Sequence, residues 1–200
     1  MKNTSAAAGA IGVAGNLLLF FTKLYIGLSS NCLSVYCDAI NNLGDTAACC
    51  VALASFLLIR KMNERQSGRT QSLSTLFISI FIAVTGAYFI YNGLERTMYP
   101  LPVSYATRYA VLLAVTVPVK ALLGVAFHAF NKKRESAVLK ALVLDSILDC
   151  FITLTALMSL LLVKRINFAA DGIFAIVTGA VITVSAIKNI IGESRRLIND

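Results

Sequence analysis

Long apolar runs alternate with short polar breaks along the whole chain. Six of them, about 7–29, 33–59, 73–95, 104–130, 138–163 and 167–191, each supply the roughly 20 apolar residues that a helix needs to cross a hydrocarbon core of about 30 Å. None shows the residue-by-residue alternation of a lipid-facing barrel strand. The pattern predicts an all-α integral membrane protein, a six-transmembrane-helix bundle forming one transmembrane domain over residues 1–200. The longest polar break, RKMNERQSGRTQS at 60–72, reads as a loop between the second and third helices. Pro100 and Pro102 mark the turn between the third and fourth. Pro118 is expected to kink the fourth, which membrane helices tolerate when neighbours satisfy the freed carbonyl. The first apolar run continues past Lys23 to Gly27, so it reads as a spanning helix and not as a cleavable signal peptide.

Composition agrees with this pattern. Charged residues make up 14% of the chain and hydrophobic ones 58%, whereas a soluble domain carries about 25% charged residues. Lys2, Arg60, Lys61, Arg65, Arg69, Lys132, Lys133, Arg134, Arg195 and Arg196 fall on one side of the expected membrane. Arg96, Arg108, Lys164 and Arg165 fall on the other. The bias toward one side makes both termini cytoplasmic. It also accounts for the net charge of +8 through helix ends and not through one basic patch, so the partner is a lipid bilayer and no nucleic acid is expected. The five cysteines, Cys32, Cys37, Cys49, Cys50 and Cys150, show no C-x-x-C spacing and read as small packing residues.

Against this background one stretch stands out: CDAINNLGD, residues 37–45. Ionisable side chains within a membrane helix cost about 2.5–3.5 kcal/mol each on insertion scales and by default mark function. The chain places Lys23, Asp38, Asp45, Lys120, Asp145 and Asp149 in its apolar runs. Asn41 and Asp45 are four residues apart and share one helix face; Asp145 and Asp149 repeat that relation on the fifth helix. Two such pairs at mid-membrane can converge on one cation. Neighbouring carboxylates resist ionising together without a counter-charge, which a divalent cation or protons can supply. The alternative is that the carboxylates form buried ion pairs with Lys23 and Lys120. Asp38, nearer its helix end, suits a structural role. Asn42 and Ser146 suit either orienting the carboxylates or packing helices. KLYIG at 23–27 is echoed by KALLG at 120–124, which suits an inverted three-helix repeat and, equally, chance.

The segments GNLLLFFTKLYIGLSSNCLSVYCDAINNLGD (15–45), SAVLKALVLDSILD (136–149) and GESRRLIND (192–200) resemble the cation diffusion facilitator family of metal/proton antiporters. The resemblance extends over all six helices. It implies a homodimer, in a bacterial inner membrane, that exports divalent transition metals in exchange for H+, with one site between the second and fifth helices and no prosthetic group. The family's ligand pairs map onto Asn41 with Asp45 and Asp145 with Asp149. Zinc-transporting members carry histidine in one or both pairs. Asn41 and Asp145 depart from that, and an all-oxygen set resembles the manganese-type branch and favours Mn2+ over Zn2+. Zn2+, Fe2+, Co2+ and Cd2+ are the alternatives. NERQSGR (63–69) keeps only Gly68 and Arg69 of the family's histidine-rich loop motif, so that accessory site is expected to be absent. The family's cytoplasmic C-terminal domain is expected to be absent from a chain ending at Asp200.

Other residues are less eloquent. His128, the single histidine, has no ligand partner one turn away and suits packing or the interface. Asp171 suits the dipole at the start of the sixth helix. Tyr99, Tyr105 and Tyr109 suit an interfacial belt. Neither an enzyme, which would need a nucleophile or cofactor motif, nor a non-transporting membrane subunit is the preferred reading.

Overall fold

The computed structural model describes residues 3–58, 64–134, 137–162 and 170–199. They form six helices: α1 (Asn3–Ser30), α2 (Leu33–Leu58), α3 (Glu64–Met98), α4 (Thr107–Arg134), α5 (Ala137–Leu162) and α6 (Ala170–Asn199). Among the described residues, stretches of α1, α3, α4, α5 and α6 are long and apolar enough to cross a membrane. The 26-residue α2 is not among them; it carries Asp38, Asn41, Asn42 and Asp45 within two turns.

One expectation is corrected at the start of α3. Residues 64–72 of the supposed loop are helical, and the apolar span begins only at Thr75. Glu64, Arg65, Gln66 and Arg69 are good helix formers, so a polar sequence here extends the helix beyond the apolar layer. Likewise α4 reaches Arg134 and α6 reaches Asn199. The helix of α4 is continuous through Pro118. Residues 60–63 and 167–169, and with them Arg60 and Lys61, lie outside the described residues, as do Lys2, Lys164 and Arg165.

Neighbouring helices run antiparallel, and close contacts set their register. Gly27 of α1 lies so near α2 that a Cβ there would sit 2.9 Å from the Tyr36 nitrogen. Gly124 of α4 abuts the Ser146 side chain of α5. The tightest seam joins α3 and α6. A Cβ on Gly179 would lie 2.8 Å from the Gly86 carbonyl oxygen, and one on Gly172 would lie 2.7 Å from that of Gly93. Both pairs are seven residues apart, two turns of helix, so small residues recur along one face and let the backbones meet. Between α1 and α2 the chain reverses at Asn31, which takes a left-handed conformation (φ 55°) that asparagine tolerates. Its Nδ2 donates to the Pro102 carbonyl at 3.0 Å, tying the turn to the α3–α4 connection.

Helices α1, α2, α4 and α5 enclose a polar layer between two apolar clusters. At the end bearing both termini the cluster includes Leu19, Cys49, Leu123, Phe127, Leu139 and Leu142. At the opposite end it includes Ile26, Val35, Tyr109, Leu113, Ala156 and Leu160. Tyr109 is therefore a core residue and not part of an interfacial belt; it meets Tyr25 edge-on at 6.3 Å. Tyr99 is exposed and Tyr105 half-buried. The outer helix faces expose large apolar side chains such as Phe77, Phe81, Leu122, Val125, Leu144 and Ile147, a surface suited to lipid.

Candidate metal centre

Asp38 and Asp45 lie seven residues apart on α2, about 10 Å along the helix axis, and the candidate ligands and the two buried lysines meet the helix over that depth. Because α2 and α5 cross antiparallel, Asp45 faces the pair formed by Asp145 and Asp149. Each of the three offers a carboxylate oxygen, and these oxygens all lie within 4.8 Å of one another. Oxygens bound at about 2.0–2.6 Å to one cation lie at most about 4–5 Å apart, so small side-chain movements would let the three share an ion. Asp45 and Asp149 are buried and Asp145 is half-buried.

Asn41 joins the group in an unexpected sense. Its Nδ2 donates to Asp149 Oδ1, so its amide nitrogen faces the cluster. A half-turn of the amide would present the oxygen instead, since the two ends have the same shape. Lys120 of α4 is drawn in as well. Its Nζ donates to Asp45 Oδ2 at 2.9 Å and to Asn16 Oδ1 at 2.6 Å, and forms an ion pair with Asp149 Oδ2.

The family model for the cation efflux transmembrane domain matches residues 10–198. The chain belongs to the cation efflux family. A cation-efflux pump FieF of Pectobacterium carotovorum is 27% identical over 193 residues, covering 92% of this chain and 62% of that protein. The FieF of Pectobacterium atrosepticum is 26% identical over the same length. That of Shewanella oneidensis is 27% identical over 176 residues, covering 84% and 58% of the two chains. The chain thus spans about three fifths of the length of the curated relatives it matches.

In this cation efflux domain the two buried lysines have separate partners. Lys23 Nζ donates to Asp38 Oδ1 at 2.8 Å and to Thr153 Oγ1 at 2.7 Å, so the Lys23–Asp38 pair stands two turns from Asp45 on α2 and, through Thr153, one turn from Asp149 on α5. Asn42 Nδ2 donates to the Asp38 carbonyl at 2.9 Å, which associates Asn42 with Asp38 and not with Asp45. Ser146 Oγ donates to the Leu142 carbonyl at 2.9 Å and packs at Gly124, a helix-packing arrangement. Asn16 and Thr153 did not emerge from spacing rules. The available signal was a lone amide in the first apolar run, seven residues before Lys23, and a hydroxyl one turn past Asp149.

Asp171 begins α6 yet caps a different helix. Its carboxylate accepts from the Leu33 and Ser34 amides at 2.8 and 3.0 Å, supplying the acceptor that the N-terminus of α2 needs. Ser34 Oγ and Arg96 Nε also donate to it. The cysteines are free. Cys49 Sγ accepts from Asn16 Nδ2 at 3.5 Å, and Cys150 Sγ lies 3.8 Å from the Val117 carbonyl. His128 is exposed on α4, outside the cluster.

Proposed function

We propose that this chain exports a divalent metal cation, Mn2+, from the cytoplasm in exchange for protons by alternating access, as the membrane domain of a homodimer in a bacterial inner membrane. The observation that carries the reading is the meeting of Asp45, Asp145 and Asp149 oxygens within 4.8 Å in the middle of a bundle that belongs to the cation efflux family. Asp45, Asp145 and Asp149 bind the ion through oxygen, and Asn41 completes the set after its amide turns. Carboxylate and amide oxygens suit Mn2+, whereas imidazole and thiolate suit Zn2+ and Cd2+.

Protons and metal compete for the same oxygens. Metal arriving from the cytoplasmic side displaces protons from the carboxylates, and protons arriving from the other side displace the metal. Acidification therefore weakens Mn2+ binding. The apolar clusters at the two ends of the polar layer are suited to act as alternating seals. The inverted-repeat reading gains support from a shared pattern: each lysine, Lys23 or Lys120, pairs with an aspartate on the next helix of its own half. Each glycine four residues later, Gly27 or Gly124, brings that helix close. Positive-inside topology and the bacterial origin of the relatives support the orientation and location; the homodimer rests on the family resemblance.

One observation favours a second reading, a non-transporting bundle assembled by ion pairs: Lys120 already partners Asp45 and Asp149. Transport in proteoliposomes separates the two. Asp45→Ala or Asp149→Ala, in protein that remains monodisperse, is expected to lower Mn2+/H+ exchange by at least about 100-fold, more than loss of a supporting group causes. Exchange at the normal rate would overturn the site assignment.

A further inference from the structure

The candidate centre contains a cation of its own. Lys120 reaches it from α4 with its side chain 1% exposed, and its ammonium engages Asp45 Oδ2, Asp149 Oδ2 and Asn16 Oδ1. A metal bound to Asp45 and Asp149 would approach the same carboxylates. Two cations that close in a poorly screened interior repel one another strongly, so the ammonium must retreat as the metal binds.

We infer that Lys120 is a tethered counter-ion that exchanges places with the transported metal, with Asn16 as the neutral acceptor that retains it. The inference rests on the proposed transport site. Three features support it. First, the ammonium sits on a flexible four-carbon stem, so it can move while α4 stays in place. Second, Asn16 is buried and its Nδ2 donates to Cys49 Sγ, which fixes Oδ1 toward Lys120. An amide oxygen there keeps the displaced ammonium hydrogen-bonded without tying it to the carboxylates. Third, three carboxylates and one ammonium leave two formal negative charges, the complement of one divalent ion. Lys120 thereby matches the site to double charge and, on its return, helps expel the metal. Lys23 contacts Asp38 and Thr153 and none of the three clustered carboxylates, so it does not compete in this way.

Mn2+ alone is the probe, titrated by electron paramagnetic resonance into the purified full chain. Lys120→Met removes the competitor, so Mn2+ should bind at least about fivefold more tightly and leave more slowly, while exchange in proteoliposomes falls. Asn16→Leu keeps the ammonium but removes its alternative acceptor, so Mn2+ should bind at least about fivefold more weakly. The two effects have opposite signs, which a purely structural role for both residues would not produce. Unchanged or weaker binding in Lys120→Met overturns the inference. If that variant does not fold, Asn16→Leu decides: unchanged or tighter binding overturns it. Asp149→Asn separates this from the underlying reading. Mn2+ binding at wild-type strength in Asp149→Asn would sink the transport site itself, whereas its loss there with no tightening in Lys120→Met would sink only the role of Lys120.

Discussion

Asn41 carries the most specific chemical statement in the chain. It stands one turn from Asp45 and donates to Asp149 Oδ1, and a half-turn of its amide would present the oxygen there instead. A nitrogen ligand at this place and at Asp145 would change the preferred metal. Asn41→His combined with Asp145→His is expected to raise Zn2+ transport relative to Mn2+ by about tenfold or more, because imidazole suits zinc. Competition assays in proteoliposomes read the ratio, and an unchanged ratio would contradict the ligand assignment. At this scale the carboxylate pairs were legible, since four-residue spacing on a helix determines a shared face. The partners of Lys23 and Lys120 were not. Both lysines look alike in sequence, yet one meets Asp38 and Thr153 and the other meets Asp45, Asp149 and Asn16. That division depends on where helices cross, which local spacing does not encode.

Among the elements, α3 and α6 form the closest pair, and their seam rests on glycine. The two nearest neighbours of Gly179 are backbone atoms, the Gly86 oxygen at 2.8 Å and the Ile90 nitrogen at 3.0 Å from a Cβ placed there, and they cannot step aside as a side-chain tip can. Gly179→Leu is expected to destabilise the fold by about 1–3 kcal/mol through overpacking. Gly192→Ala, with nothing within 4 Å of its added Cβ, should stay within about 0.5 kcal/mol of the parent. Thermal unfolding in detergent measures both, and equal stability of the two variants would contradict the seam. Helix existence was legible from apolar length. The start of α3 was not, because 64–72 is polar and helical at once: hydropathy reports the apolar layer and helix propensity reports the helix. Asp171 shows the same limit, since it caps α2 across the fold while sitting at the start of α6.

For the whole molecule the organising feature is a polar layer about 10 Å deep held between apolar clusters. Burying aspartate, asparagine and lysine in a membrane bundle is costly unless they are partnered, and here α1, α2, α4 and α5 supply most of the partners to one another, while Asp38 Oδ2 and Asn42 Oδ1 lack a hydrogen-bond partner among the described residues. On the proposed function, the apolar clusters at the two ends would open in turn, and the clustered carboxylates between them would hold the ion. Metal binding between α2 and α5 is tested most directly by a crystal of the full chain soaked in Mn2+, with anomalous scattering recorded at the manganese edge. One strong peak is expected between α2 and α5, bonded to Asp45, Asp145 and Asp149, with the Lys120 ammonium withdrawn onto Asn16. A map with no peak at these carboxylates, and Lys120 still bridging Asp45 and Asp149 at saturating Mn2+, would contradict it.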